Sequence, residues 1–88
     1  MIDKHKQRAA LIALHSIIVS ARNDAYQGAP HAGLANLLDK TEYLLILMLE
    51  EDDNTDRFLR ALTALCEKHR CMVALRKYES EAESEPDT

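Results

Sequence analysis

Six consecutive apolar residues, Leu44 to Leu49, constrain the fold of this chain more than any other feature. In a helix, a run of this length places apolar side chains on every side, so a single neighbouring helix cannot cover them all. The run must therefore be surrounded, either by the chain's own helices or by a second subunit. It is also far shorter than the roughly 20 apolar residues that cross a bilayer, so we expect no membrane span.

The composition predicts an all-α protein made of a few long helices. The chain has 88 residues, is rich in Leu and Ala, lacks Trp, and has only two Gly and two Pro for turns. Leu and Ala favour helix over strand, and few turn residues mean few connections. A domain of this size buries only about 60 to 65% of the surface that its unfolded chain exposes, so we expect marginal stability as a monomer.

Apolar residues at spacings of three and four predict three helices joined by short connections. The predicted helices span residues 3–26, 30–51 and 55–78. Between the first two, Gly28 can take the left-handed conformation that ends a helix, and Pro30 begins the next one well. Between the last two, the acidic residues 51–56 oppose the dipole of the preceding helix and favour that of the following one. We therefore expect an antiparallel three-helix bundle, a single domain over residues 1–78.

The C-terminal segment, residues 79–88, is predicted to be a disordered acidic tail. It holds five of the 15 acids, none of the 11 Lys and Arg, and no apolar residue larger than Ala82. Such a segment cannot bury enough apolar surface to offset the entropy of ordering it. The rest of the chain is close to neutral, which argues against nucleic acid as a partner, because phosphate binding needs a clustered basic excess.

The first helix has two apolar lines and one line of small residues. The line predicted to face the core is Leu11, Leu14, Ile18, Ala21 and Ala25, widened by Ala10 and Ile17. A second, thinner line repeats every seven residues: Ile12, Val19 and Tyr26. The remaining line is Ala9, Ala13, Ser16 and Ser20. These small residues leave two interpretations open, a ridge that another backbone approaches closely or an ordinary exposed face.

The second helix has more apolar residues than one face can hold. Its predicted core face is Leu34, Leu37, Leu38, Thr41, Leu44, Leu45, Met48 and Leu49. On the opposite, polar side lie Tyr43, Ile46 and Leu47, which would form an exposed apolar patch in a monomer. Glu42 borders the core face, where an unpaired charge is costly, so we expect it to pair with a base such as Arg22 or Arg60.

The third helix carries two residues whose spacing is compatible with metal binding. Its predicted apolar face is Phe58, Leu59, Leu62, Leu65, Cys66, His69, Met72 and Val73. Cys66 and His69 lie one turn apart, but structural zinc needs four ligands, so only a two-fold axis that adds a second pair would complete the site. We prefer a core histidine that is hydrogen-bonded to a neighbouring polar group, and we expect no metal or other cofactor.

No arrangement of residues predicts catalysis. The two glycines form no phosphate-binding loop, and the serines lie in no nucleophile motif. Because an active site needs a nucleophile, a base and oxyanion donors together, we expect no enzymatic activity. Two cysteines and a charged, amphipathic N-terminal segment predict reduced thiols and a cytoplasmic location.

The surplus of apolar residues predicts a small helical protein–protein interaction module that self-associates as a homodimer. The predicted interface consists of Ile12, Val19, Tyr26, Tyr43, Ile46 and Leu47. The alternative is an immunity protein or antitoxin-like inhibitor, which would direct its acidic loop, residues 50–56, and its acidic tail toward a basic protein partner, since long-range charge speeds such an encounter. A helical nucleic-acid-binding domain ranks below both because of the neutral charge balance.

Overall fold

The computed structural model of the chain describes residues 4–50 and 54–83, and every regular element in these ranges is an α-helix. The helices are α1 (Lys4–Tyr26), α2 (His31–Leu49), α3 (Thr55–His69) and α4 (Met72–Glu83). The prediction of an all-α fold is confirmed. The prediction of a three-helix bundle is wrong, because the described residues form four helices.

The third predicted helix, over residues 55–78, is interrupted at Arg70 and Cys71. Arg70 has a left-handed backbone conformation with φ 58° and ψ 37°, and the N–H groups of Arg70 and Cys71 both donate to the carbonyl oxygen of Cys66. These bonds satisfy a carbonyl group at the end of α3 and reverse the direction of the chain. A residue other than glycine seldom adopts this conformation, so the sequence contains little sign of the break.

The break changes which residues of this segment reach the core. A continuous helix would bury Met72 and Val73, as predicted, but both are exposed. The buried residues of α4 are instead Ala74, Leu75 and Tyr78. The rings of Phe58 and Tyr78 pack with their centroids 5.6 Å apart and their planes inclined by 39°, which joins α3 to α4.

Helix α4 also continues beyond the predicted domain boundary at residue 78. It ends at Glu83, and Ala82 packs partly buried against the core. The prediction of disorder is therefore wrong for residues 79–83, because one more turn of helix has an apolar contact to make. Residues 84–88 of the predicted tail lie outside the described residues, as do residues 51–53 of the acidic loop.

The four helices alternate in direction. Ser20, near the end of α1, approaches Cys71, just before α4, with 3.8 Å between Oγ and Sγ. Asn36, near the start of α2, contacts His69 at the end of α3. The short connection over residues 27–30 makes α1 and α2 antiparallel as well. The result is an up-down-up-down four-helix bundle around one core, in which α1 packs most extensively on α4 and α2 on α3.

The packing of α1 on α4 depends on the line of small residues in α1. Ala9 and Ala13 are fully buried, and Ser16 and Ser20 are partly buried. The sequence left two interpretations of these small residues open: a ridge that another backbone approaches closely, or an ordinary exposed face. Their burial shows that the first is correct, because small side chains allow a short distance between helix axes. With the small residues turned inward, residues on another side of α1 that were predicted to face the core are exposed.

Candidate interaction surface

The predicted interface residues of α2 separate in the structure. Tyr43 and Ile46 are exposed, whereas Leu47 is only 1% exposed. The placement of Leu47 in a surface patch is wrong, because its side chain belongs to the buried core of the bundle. Asn54, just before α3, is also buried, and its side-chain Nδ2 lies 3.5 Å from the backbone carbonyl oxygen of Leu47.

The predicted interface residues of α1 lie on a different side of the bundle from Tyr43. Ile12 and Val19 are partly buried along the α1/α4 groove, which Lys77 also lines. Tyr26, at the end of α1, is 81% exposed. Tyr43 lines the groove between α2 and α3. The core separates these two grooves, so the six predicted residues do not form one continuous surface.

A different set of large apolar side chains is exposed on neighbouring sides of α1 and α2. Each of these five residues is between 40% and 83% exposed: Leu11, Ile18, Leu38, Leu45 and Leu49. Residues separated by four or seven positions lie along one side of a helix, so Leu11 aligns with Ile18, and Leu38 aligns with Leu45 and Leu49. All five had been predicted to face the core, and for all five that prediction is wrong.

On α1, the exposed line lies on the side that adjoins α2. The groove toward α4 is lined by Ser16, Val19 and Ser20. By the helical period, Leu11 and Ile18 lie on the other side of the buried stripe from these residues. Because α1 is flanked by α4 on one side and α2 on the other, the helical period places Ile18 toward the α1/α2 groove. Leu11 lies beside it on the outer side of α1, where it also lines a shallow depression with Lys77 of α4.

On α2, the exposed line borders the same groove from the other side. The groove toward α3 is lined by Lys40 and Tyr43. Leu38, Leu45 and Leu49 lie across the buried stripe from them, on the side that adjoins α1. The two lines therefore form one surface, which we call the α1/α2 apolar face: Leu11, Ile18, Leu38, Leu45 and Leu49. Its seven-residue spacings are visible in the sequence but do not distinguish it from the core, because the buried residues Leu37 and Leu44 have the same spacing.

Glu42 belongs to the edge of this surface. The helical period places it beside Leu38 and Leu49, as predicted, but those residues are on the outside of the bundle. Glu42 itself is exposed. The physical reason for the expected pairing with Arg22 or Arg60, a carboxylate at the edge of the core, therefore does not hold.

The groove between α2 and α3 is a second, smaller apolar depression. It has a volume of about 210 Å³ and is lined by Lys40, Tyr43, Ala61, Ala64, Leu65 and Lys68. Its floor consists of small and apolar side chains, and a lysine stands on each helix. The depression is less extensive than the α1/α2 apolar face and contains one half-exposed large apolar residue, Tyr43.

His69 has the role that the sequence predicted for it. Its Nε2 lies 3.2 Å from Oδ1 of Asn36, so it is a partly buried histidine hydrogen-bonded to a neighbouring polar group. Burial, and secondarily the charge of Lys68, lower the pKa of His69 below 6.5. Within residues 4–50 and 54–83, no group of three or more His, Cys, Asp or Glu side chains is arranged to hold a metal ion.

The two cysteines are free and buried. Burial, with a smaller contribution from the nearby Cys71, raises the pKa of the Cys66 thiol from 9.0 to about 11. A thiol in this state is almost entirely protonated at neutral pH and is a poor nucleophile or metal ligand. Sγ of Cys71 lies 3.5 Å from the carbonyl oxygen of His69. These environments are typical of cysteines that fill a core.

The surface around the predicted acidic loop carries both signs of charge where it is described. Asp56 shares a groove with Lys6, Arg57 and Arg60. None of the described helices combines the length and apolar content that a bilayer-spanning helix needs. No family model, curated protein or solved structure matches the chain.

Proposed function

We propose that the protein is a small helical protein–protein interaction module that self-associates as a homodimer through the α1/α2 apolar face. The observation that carries this proposal is the exposure of five large aliphatic side chains, which the helical period places on neighbouring sides of two adjacent helices. Scattered surface leucines are normal in monomers, but a contiguous apolar surface is typical of an interaction site.

A second copy of the chain fits this face because the face is a helical hairpin with an apolar line on each helix. Two such hairpins can pack face to face as two layers of two helices. The apolar side chains, which recur every seven residues on each helix, then interdigitate as in a coiled coil. A two-fold arrangement uses the same surface on both copies, so the interface closes after two subunits.

The energy of this burial sets the expected strength of the association. Covering a half-exposed Leu or Ile contributes on the order of 1 kcal/mol, so the ten side chains of two copies contribute on the order of 10 kcal/mol. Association costs roughly 4 to 15 kcal/mol in lost translational and rotational freedom and side-chain ordering. The two quantities are similar, so apolar burial alone supports at most a weak, reversible dimer, and its affinity depends strongly on polar contacts at the edge of the face.

Two neighbouring residues of α2 allow a matched test of the interface. Leu45 belongs to the α1/α2 apolar face. Ile46 is exposed to a similar extent, at 45% against 40% for Leu45, but lies farther round α2, one turn after Glu42. In sedimentation or light scattering at about 500 μM, a concentration that populates even a weak dimer, we expect the wild type to be dimeric. Leu45→Lys should shift the protein to monomers, and Ile46→Lys, at the edge of the interface, should weaken the dimer less.

Helical content from circular dichroism serves as the control, because both substitutions are at exposed positions and should leave it unchanged. A monomeric wild type at this concentration contradicts the proposed function. A dimer that Ile46→Lys dissociates and Leu45→Lys does not would instead support the surface that the sequence predicted around Tyr43 and Ile46.

A further inference from the structure

We propose, on the basis of the self-association above, that the second copy lies with its α1 over α2 of the first, related by a two-fold axis parallel to the helices. The charged residues that border the α1/α2 apolar face lead to this arrangement. They differ in sign between the two helices, so the edge of the face is complementary to itself in one orientation only.

The outer edge of the face on α1 is basic. Beside Leu11 and Ile18, at spacings of three, four or seven, lie the exposed residues Lys4, Arg8, His15 and Arg22, the first three of which line a shallow depression with Lys77 of α4. The only acid in α1 is Asp24, near its C-terminal end. An anionic surface placed over α1 would therefore meet a row of bases next to the apolar line.

The outer edge of the face on α2 is acidic. Glu42 lies four residues after Leu38 and three before Leu45, and Asp39 is one turn before Glu42. Both carboxylates are exposed. The only Lys or Arg in α2 is Lys40, which lines the groove toward α3 on the other side of the helix.

Two face-to-face packings of the hairpins are possible, and the charges distinguish them. With the two-fold axis perpendicular to the helices, α1 lies on α1 and α2 on α2, so bases meet bases and acids meet acids. With the axis parallel to the helices, α1 of each copy lies on α2 of the other, and the basic edge meets the acidic edge twice. Like charges placed opposite each other weaken an interface and suppress the wrong orientation.

The register of the hairpin specifies which residues meet. Because the connection over residues 27–30 is short, residues equally distant from it lie at the same level of α1 and α2, as His15 and Glu42 do. Rotation about an axis parallel to the helices preserves this level, so His15 lies opposite Glu42 of the second copy. The apolar residues follow the same register, with Leu11 opposite Leu45 and Ile18 opposite Leu38.

Arg22 and Asp39 form a second, looser pair. Arg22 lies at the level of residue 35, four residues from Asp39, which corresponds to about 6 Å along the helix axis. The long side chain of arginine spans this distance. Each copy therefore contributes two basic side chains, His15 and Arg22, that face two acids of its mate.

A charge exchange within the chain tests this arrangement. The first variant, His15→Glu with Arg22→Glu, makes the edge of α1 acidic. The second, Asp39→Lys with Glu42→Lys, makes the edge of α2 basic. The third combines all four substitutions.

We expect each of the first two variants to weaken dimerisation about tenfold or more at low salt, since like charges then face each other. The third should restore the affinity to within about threefold of the wild type, because opposite charges face each other again.

The outcomes separate this inference from the proposed function. Two results would overturn the packing of α1 of one copy on α2 of the other while leaving self-association intact. In the first, the wild type dimerises and neither pair of substitutions weakens the dimer. In the second, the combined variant does not restore the affinity. If the wild type is monomeric, self-association itself fails. All four positions are exposed, so circular dichroism should show unchanged helicity, and the losses should shrink in about 0.5 M salt, where the Debye length is a few ångström.

Discussion

The imidazole of His69 and the amide of Asn36 join the end of α3 to the start of α2, with 3.2 Å between Nε2 and Oδ1. His69 is partly buried at this junction. Burial is the main reason that its pKa lies below 6.5, and the adjacent charge of Lys68 adds to the effect. The folded protein therefore favours the neutral ring.

This preference predicts a loss of stability in mild acid. The unfolded chain binds a proton at His69 at higher pH than the folded chain, so His69 begins to reduce the free energy of unfolding as the pH falls below about 6.5 and does so fully below its folded pKa. Urea unfolding at pH 7.5 and pH 5 should show a larger loss for the wild type than for His69→Gln, which cannot titrate. Equal losses in the two proteins would contradict the prediction, and an NMR titration of His69 should have its midpoint below 6.5.

The small ridge of α1 should tolerate no enlargement. Ala13 is fully buried in the ridge that packs on α4. We expect Ala13→Leu to lower the free energy of unfolding by about 1 to 3 kcal/mol, because the added side chain forces the helices apart. Ala32→Leu, at an exposed position of α2, should change it by less than about 0.5 kcal/mol. Denaturant unfolding measures both, and similar effects at the two positions would show that the ridge is not tightly packed.

The two glycines should respond to alanine in opposite directions. A Cβ atom added at Gly28 or Gly33 meets nothing within 4 Å, so contacts do not decide the outcome. Gly28 has φ 84°, and Gly28→Ala should destabilise the protein by about 1 kcal/mol because alanine is strained there. Gly33 lies in α2, and Gly33→Ala should stabilise it by about 0.5 to 1 kcal/mol. Thermal or denaturant unfolding that moves both variants in the same direction would refute this explanation.

The Cys66 thiol should be protected in the folded protein. With a pKa of about 11 in place of 9.0, its thiolate fraction at pH 8 falls about a hundredfold. In the variant Cys71→Ser, which leaves one thiol and keeps the burial that is the main cause of the shift, iodoacetamide labelling at pH 8 should be at least about tenfold slower in the folded than in the denatured protein. Rapid labelling of the folded chain would disprove the burial of Cys66.

The same shift in the pKa of Cys66 predicts alkaline destabilisation. The unfolded chain releases the thiol proton near pH 9 and the folded chain only near pH 11, so stability decreases as the pH rises through this interval. Cys66→Ala should lose less stability than the wild type between pH 8 and pH 11, although it is less stable at pH 8 because it leaves a small cavity.

The sequence predicted individual helices better than it predicted their faces. Gly28 and Pro30 mark the first connection correctly, since Gly28 has a positive φ and Pro30 precedes the first residue of α2. The break at Arg70 escaped prediction because its backbone conformation is unusual for arginine, and because the apolar spacing continues through it. The candidate interaction surface also escaped, since Leu38, Leu45 and Leu49 are as apolar as the leucines of the core.

The sequence alone determined that the chain is helical and that it has more apolar residues than the core of a small bundle can use. Local propensity and the turn residues Gly28 and Pro30 are sufficient for the first conclusion, and the run from Leu44 to Leu49 for the second. Only the tertiary structure decided which apolar residues are the surplus. That choice depends on how closely α4 approaches α1. The line of small residues in α1 allows close packing on α4 and therefore faces inward. Leu11 and Ile18, on another side of α1, are left exposed on the side of the bundle that also carries the exposed leucines of α2.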